Sequence, residues 1–164
     1  MAAIGEIVAQ SWQHTFQGLL PQDFLSSLTP EAQQSRHERN FSRDGVHYHT
    51  AVDGNDVIGF ASWGPRRDPS FAAPYELYAI YLRPGFERQG IGRRLLDRVI
   101  SDVASSDPPD LYLTVLSVNP NREFYVRLGG TEVDAPSIQL GGISHEQIAF
   151  LWSCLPAAKS NEGL

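Results

Sequence analysis

The sequence predicts a mixed α/β fold, in which one central sheet carries helices on both faces. Two kinds of pattern alternate along the chain. Some segments repeat apolar residues at helical spacing, and others are short runs rich in β-branched and aromatic residues, which are typical of strands. The predicted order is two helices, a hairpin, a strand, a helix, a strand, a short helix and one or two final strands. We expect a single domain over residues 1–164, since this length suits one hydrophobic core.

The N-terminal part contains the two predicted helices. Apolar residues recur at helical spacing over residues 4–20, ahead of a turn at Pro21. Thr29 then has the features of an N-cap, because Pro30 suits the first helical position, where the missing N–H is not needed. We expect this second helix to end near Asn40.

A hairpin is predicted next, over residues 46–52 and 57–63. The turn between these strands contains Asp-Gly, a pair that readily adopts the positive φ angles of tight turns. His47 and His49 are expected on one face of the first strand. Two histidines without a nearby third ligand are weak support for a metal site, so we expect no metal.

The rest of the chain continues the alternation of strands and helices. The segment 64–74, rich in Pro, Arg and Asp, is a predicted loop, and the segment before the last strand is a polar, Gly-rich connection. The predicted elements are a central strand at Tyr75–Leu82, a helix from Gly92 to Val103, a strand at Leu111–Leu116, a helix over 122–128 and a strand over 147–155.

Composition excludes several classes of protein. The net charge of −6 argues against general binding to nucleic acid, which requires Lys and Arg to neutralise phosphates. No apolar run is long enough for a membrane helix, and the N-terminus lacks the pattern of a signal peptide, so we expect a cytoplasmic protein that does not bind membranes. Cys154 is the only cysteine. It lies in an apolar run, which favours a buried, inert thiol over a nucleophile.

The segment 83–94 has the features of an anion-binding loop between a strand and a helix. Gly90 and Gly92 allow close approach of the backbone to a ligand, and the N-terminus of the following helix contributes its dipole. Residues 83–98 contain five arginines and only two acidic residues in an otherwise acidic chain. A dinucleotide-binding Gly-x-Gly-x-x-Gly pattern fails at Leu95, and the Gly-Lys-Ser/Thr of a P-loop is absent from the sequence.

This loop resembles the coenzyme A loop of the GCN5-related N-acetyltransferases, which has the form Gln/Arg-x-x-Gly-x-Gly/Ala after the family's fourth strand. The resemblance covers almost the whole chain. It extends to the segments 11–13, 18–21, 58–61, 119–120, 124–125 and 128–129. The chain departs from the family pattern in three ways: Glu87 occupies the first loop position, the interval from Asn119 to Phe124 is one residue short, and the family's first strand is missing.

The resemblance implies a mostly antiparallel sheet whose fourth and fifth strands, in the family's order, splay apart around acetyl-coenzyme A. It implies an acetyl-CoA-dependent N-acetyltransferase that uses no metal, and a small amine or peptide as acceptor. Arg88, Arg93 or Arg94 is expected to meet the 3′-phosphate of coenzyme A. Either Asn119 or Asn121 is expected to make the contact with coenzyme A that is usual in the family. The implied cofactor-binding residues are Ile80, Tyr81, Leu82, Glu87, Arg88, Gln89, Gly90, Ile91, Gly92, Arg93, Asn119, Asn121 and Tyr125.

The resemblance also implies catalytic residues. Glu76 corresponds to the family's glutamate base, with the alternative that it anchors a cationic substrate. Tyr125 corresponds to the general acid, with the alternative that its ring only packs against the coenzyme. The residues implied for the acceptor pocket, for which core packing is the alternative role, are Trp12, Phe16 and Trp63. A non-catalytic acyl-CoA sensor is the rival function, and a homodimer is left open.

Overall fold

Six strands form one open sheet in the order β1-β2-β3-β4-β6-β5. The computed structural model describes residues 1–153 and 155. Every neighbouring pair of strands is antiparallel except β3 and β4, which are parallel. The elements are α1 (Ala2–Phe16), α2 (Gln22–Ser27), α3 (Pro30–Phe41), β1 (His47–Asp53), β2 (Asp56–Pro65), β3 (Tyr75–Leu82), α4 (Ile91–Val103), β4 (Leu111–Leu116), α5 (Arg122–Arg127), β5 (Thr131–Leu140) and β6 (Ile143–Trp152).

The mixed, mostly antiparallel sheet confirms the predicted fold class. The start of α3 is also as predicted, because Pro30 is its first residue and the Thr29 hydroxyl accepts a hydrogen bond from the N–H of Ala32 at 3.2 Å. The first strand of the sheet begins at His47, after three helices. Within the described residues, no strand precedes α1.

Three predicted elements differ from the structure. The first helix ends at Phe16 because Gly18 adopts a φ of 77°, and the chain then forms the separate helix α2. Of the one or two final strands predicted, two are present. The first, β5, occupies much of the segment predicted as a connection and forms a hairpin with β6 through two glycines of positive φ. The last strand begins at Ile143 and ends at Trp152. Cys154, predicted to be buried and inert, lies outside the described residues.

Helices cover the sheet on two faces, which we name after the helix that lies on each. On the α4 face, Leu96 and Val99 are fully buried in a core that includes Leu111 and Leu113 of β4. On the α1 face, apolar residues of α1 pack against Phe60. No helix within residues 1–153 and 155 has the length and apolar character needed to cross a membrane.

The two parallel strands separate soon after they meet. They pair only through Tyr75 with Leu111 and Glu76 with Tyr112. Beyond these pairs a wedge opens between residues 77–82 of β3 and 113–116 of β4. We call the end at Glu76 and Tyr112 the closed end and the end at Leu82 and Leu116 the open end. The predicted splay of two central strands is therefore present in the structure.

Helix α1 spans the open end of the wedge on the α1 face. The Ser11 hydroxyl donates a hydrogen bond of 2.7 Å to the carbonyl oxygen of Leu82 on β3. Further along the same helix, Phe16 packs against Leu116 on β4. One helix thus contacts both strands where they are farthest from their paired end.

Candidate active site

The loop at the open end of the wedge turns sharply before α4. Gly85, Arg88 and Gly90 all have positive φ angles, of 95°, 61° and 78° respectively. Gly90 is the N-cap residue of α4. A Cβ atom at Gly90 would have no neighbour within 4 Å. The backbone conformation, and not a lack of space within the chain, therefore favours glycine at this position.

The backbone N–H groups from Arg88 to Arg93 lack hydrogen-bond acceptors in the part of the chain that the structure describes. The first helical bond of α4 is from the N–H of Arg94 to the carbonyl of Gly90, at 3.1 Å. Unpaired N–H groups and the helix dipole together make this end of a 13-residue helix electropositive. The loop therefore provides donors that suit a diphosphate.

Two side chains of the loop shape its backbone. The Glu87 carboxylate accepts a 2.7 Å hydrogen bond from the N–H of Gly85, and the Gln89 amide donates one of 3.1 Å to the carbonyl of Gly85. Glu87 is the residue that departs from the family pattern. Its side chain is directed back into the loop, so the loop conformation does not depend on Gln or Arg at this position.

The arginines near the loop differ in their pairing. Arg93 forms an exposed ion pair with Asp97 on the same helix at 3.5 Å. Arg88 is exposed, and neither it nor Arg94 has an ion pair with another described residue. Arg94 and Arg98 line a cavity of about 350 Å³ between α4 and the β1–β2 hairpin. The charges of Arg88 and Arg94 are thus left unpaired by the carboxylates of the described residues.

Strand β3 presents Ile80, Tyr81 and Leu82 at the wedge. Ile80 and Leu82 pack on the α4 face, whereas Tyr81 packs on the α1 face. The Tyr81 hydroxyl accepts a 2.9 Å hydrogen bond from the indole N–H of Trp12. Because β3 has no pairing with β4 beyond Glu76, this part of its backbone can pair with an extended ligand.

Helix α5 packs beside the loop and carries Tyr125. Its residue Phe124 lies close to Gly92, where an added Cβ would be 3.4 Å from the ring. Ahead of α5, the Asn119 side-chain oxygen accepts a 2.8 Å hydrogen bond from the N–H of Asn121. The Asn121 side chain is exposed and has no hydrogen bond to another described residue. Asn121 is therefore the freer of the two to contact a ligand.

The Tyr125 side chain is buried on the α4 face. Its ring centroid lies 5.1 Å from that of Phe124 and 5.2 Å from that of Phe150. Burial, and to a lesser degree the nearby Tyr81, raises the pKa of the Tyr125 hydroxyl well above its usual value. This hydroxyl remains protonated at neutral pH and can donate a hydrogen bond.

The closed end of the wedge holds a buried carboxylate with several donors. Glu76 is only 4% exposed. Its Oε2 atom accepts hydrogen bonds of 3.0 Å from the Arg67 backbone N–H, from Arg67 Nε and from the Tyr112 hydroxyl. Its Oε1 atom accepts one from Arg67 Nη2. Burial, with the neighbouring Glu76 carboxylate, raises the pKa of the Tyr112 hydroxyl above its usual range.

The predicted aromatic residues of the acceptor pocket separate into two groups. Trp12 and Phe16 lie on α1 with their ring centroids 4.9 Å apart, beside the open end on the α1 face. Trp63 is 6% exposed in the core of the α4 face, where it stacks on His47 at 4.5 Å. The structure does not bring Trp63 together with Trp12 and Phe16, and core packing accounts for its position.

Two residues at the site had no signal in the sequence. Arg67 lies in the predicted loop, and its contact with Glu76 depends on how that loop folds back on β3. His145 lies on β6, in the segment predicted as a connection. No group of three His, Cys, Asp or Glu residues that suits a metal ion was found among the described residues.

Comparison with known proteins identifies the family. The family model of the acetyltransferase (GNAT) family matches residues 9–130. The chain is also 29% identical over 157 residues to an uncharacterized N-acetyltransferase, YuaI, of Bacillus subtilis (strain 168), covering 96% of this chain and 90% of that protein.

Solved structures share the fold. The PaiA N-acetyltransferase of Thermoplasma acidophilum, in complex with coenzyme A, aligns with a TM-score of 0.68 at 21% identity, over 90% of this chain and 89% of that chain. A GCN5-related N-acetyltransferase of Rhodopseudomonas palustris aligns with a TM-score of 0.71 at 14% identity, over 93% and 88%. Since the family model spans more than half of the sequence, this chain belongs to the acetyltransferase (GNAT) family.

Proposed function

We propose that the protein is an N-acetyltransferase that moves the acetyl group of acetyl-CoA directly to a primary amine of a small molecule or peptide, within a ternary complex. The observation that carries this proposal is the wedge, whose open end adjoins the unpaired N–H groups of residues 88–93. A diphosphate at these groups places the pantetheine arm beside the unpaired edge of β3. The coenzyme A bound to the PaiA protein supports the same ligand here.

In this proposal, the loop between β3 and α4 and the strand β3 each bind a different part of the cosubstrate. We assign the diphosphate to the backbone of residues 88–93 and the 3′-phosphate to Arg88 or Arg94. The backbone of Ile80, Tyr81 and Leu82 holds the pantetheine arm, and Asn121 contacts it from the opposite side. Donors that are fixed before the ligand arrives bind it without a cost of reorganisation.

The acceptor approaches from the α1 face in this proposal. Trp12 and Phe16 border the open end there, and Glu76 lies at the closed end. An alkylamine with a pKa near 10.4 is protonated at neutral pH, and removal of the proton costs about 4 to 5 kcal/mol. Glu76 either accepts that proton or anchors the cationic acceptor. Its four hydrogen bonds from Arg67 and Tyr112 occupy lone pairs that either role requires.

We assign to Tyr125 the role of stabilising the departing thiolate of coenzyme A. A thiol with an ordinary pKa of about 8.5 is a stronger acid than this tyrosine, whose pKa is raised by burial. Complete proton transfer from Tyr125 to the thiolate is therefore uphill. The hydroxyl acts best as a hydrogen-bond donor that stabilises the charge developing on sulfur, and solvent later supplies the proton.

Thermal unfolding tests the cosubstrate. Acetyl-CoA at about 100 times its dissociation constant should add about 2.7 kcal/mol to the free energy of unfolding and raise Tm. ATP is the control, because a general phosphate-binding module would respond to it equally. An unchanged Tm at saturating acetyl-CoA concentrations would contradict the assignment of the wedge.

Release of free thiol in the presence of amines tests the reaction. The panel should contain polyamines, aminoglycosides, amino acids and peptides with free N-termini. We expect at least one class to accelerate thiol release above hydrolysis, with an acetylated amine as product. A non-catalytic acyl-CoA sensor would raise Tm with acetyl-CoA and yet acetylate none of these amines.

A further inference from the structure

The β5–β6 hairpin places a histidine beside the open end of the wedge. Gln147 of β6 pairs with Leu116, the last residue of β4. The strand continues to His145, and the register shift of this hairpin lies between Ala135 and Ile138 on β5. Side chains two residues apart on a strand share a face. His145 therefore lies on the α1 face, next to the strand end that Phe16 covers.

One imidazole nitrogen of His145 is buried without a partner. Its Nε2 atom has no hydrogen bond to any residue within 1–153 and 155. Only Ser62 Oγ and Trp63 Nε1 share this condition in the described chain. The Trp63 nitrogen is on the α4 face and can only donate a hydrogen bond, whereas an imidazole nitrogen can accept a proton. A buried polar atom without a partner lowers stability, so its presence calls for an explanation beyond packing.

The two ends of the α1 face differ in their capacity to take a proton. At the closed end, the Glu76 carboxylate already accepts four hydrogen bonds from Arg67 and Tyr112. At the open end, His145 Nε2 accepts none from the described residues.

We propose that His145 Nε2 accepts the proton of the acceptor amine, an inference that rests on the proposed function. The N–H bond of the ammonium group breaks, and its proton moves to Nε2 of a neutral imidazole. The amine nitrogen then forms a bond to the thioester carbonyl carbon and loses its second proton to solvent, and the C–S bond breaks with its electron pair leaving on the thiolate. Solvent removes the proton from the imidazolium.

A pair of acceptors of different basicity tests this role. Ethylamine is protonated at neutral pH and needs a proton acceptor, whereas trifluoroethylamine is already neutral and does not. We expect His145→Phe to lower kcat/KM for ethylamine at least tenfold and to change kcat/KM for trifluoroethylamine by less than about twofold. His145→Gln should show the same selective loss, because an amide forms hydrogen bonds but is not a base. The control is His14→Phe, at an exposed position on α1.

The stability and cofactor affinity of the variants separate chemistry from structure. His145→Phe removes the unpartnered nitrogen, so its Tm should not fall, and its affinity for acetyl-CoA should match that of the parent. If His145→Phe fails to fold, the ratio of the two kcat/KM values is measured in His145→Gln. Equal losses with both acceptors, or no loss with either, overturn the role of His145 alone. A parent that binds acetyl-CoA but acetylates no amine overturns the proposed function, and the role of His145 with it.

Discussion

The closed and open ends of the wedge differ in whether their polar groups are paired within the chain. At the closed end, the buried Glu76 carboxylate is satisfied by donors of the chain itself, from Arg67 and Tyr112. At the open end, the N–H groups that begin α4 have no acceptor among the described residues. Folding is served by polar groups that are paired within the chain, and binding is served by groups that are left unpaired. Paired polar groups therefore lie at the closed end of the wedge, and unpaired N–H groups adjoin its open end.

The largest expected effect is at the open end. Gly90→Val should weaken the binding of acetyl-CoA about 100-fold, equivalent to about 2.7 kcal/mol. A β-branched side chain disfavours the φ of 78° at Gly90 and occupies the space over the helix N-terminus. Isothermal titration calorimetry measures the affinity.

Gly54→Val is the matched control for this variant. Gly54 has a φ of 58° and, like Gly90, no neighbour within 4 Å of an added Cβ atom, but it lies in the turn between β1 and β2. Both variants should lose similar stability, and only Gly90→Val should lose affinity. Equal affinities in the two folded variants would show that the diphosphate binds elsewhere.

An intermediate effect is expected at the closed end, on stability. Glu76→Gln should lower the free energy of unfolding by about 2 kcal/mol, because it leaves the Arg67 charge without its partner. We place this value below the usual cost of breaking a fully buried pair, since the Arg67 side chain is 41% exposed. Urea unfolding at neutral pH provides the measurement.

The exposed pair of Arg93 and Asp97 is the control for the closed end. Asp97→Asn should change stability by no more than about 0.5 kcal/mol, as exposed pairs on a helix contribute little. A similar small change in Glu76→Gln would mean that the closed end is not held by its carboxylate.

The smallest effect is expected from the loss of one hydroxyl at the open end. Tyr125→Phe should lower the rate of acetyl transfer about tenfold, or about 1.4 kcal/mol, with little change in affinity for acetyl-CoA. The ring contacts with Phe124 and Phe150 remain in place. Single-turnover rates are needed, because slow product release can conceal a defect in chemistry. Rates equal to those of the parent at neutral and mildly alkaline pH would show that the Tyr125 hydroxyl does not assist acetyl transfer and that the ring only packs.

The parts of the molecule that the sequence predicts are those with local signals. The helix α4 has a clear apolar period, and the glycine pattern before it predicts the anion-binding loop. Strand β5 has no such signal. Most of its residues are exposed, it includes Pro136, and it lies at the edge of the sheet, so it lacks the alternation of a half-buried strand.

The features without a local signal in the sequence are long-range contacts and the faces on which strand residues pack. The register shift between Ser62 and Trp63 inserts Tyr78 into β3. As a result Leu77 and Ala79 pack on opposite faces although they are two residues apart, and no local pattern marks such a shift. The pairing of Arg67 with Glu76 arises because a loop of irregular structure returns to the strand that follows it. Tertiary packing decides both, and residue spacing along the chain does not encode it.

The early separation of β3 from β4 also bears on how the molecule exchanges its amide protons. Only two residue pairs join these strands, so the wedge-facing amides of residues 77–82 and 113–116 lack ladder bonds although they lie in the centre of a six-stranded sheet. Their deuterium uptake should resemble that of an edge strand, while neighbouring amides bonded to β2 and β6 stay protected. The middle of the sheet is thus the place where an extended ligand gains the most backbone pairing, and where protection on binding should be greatest.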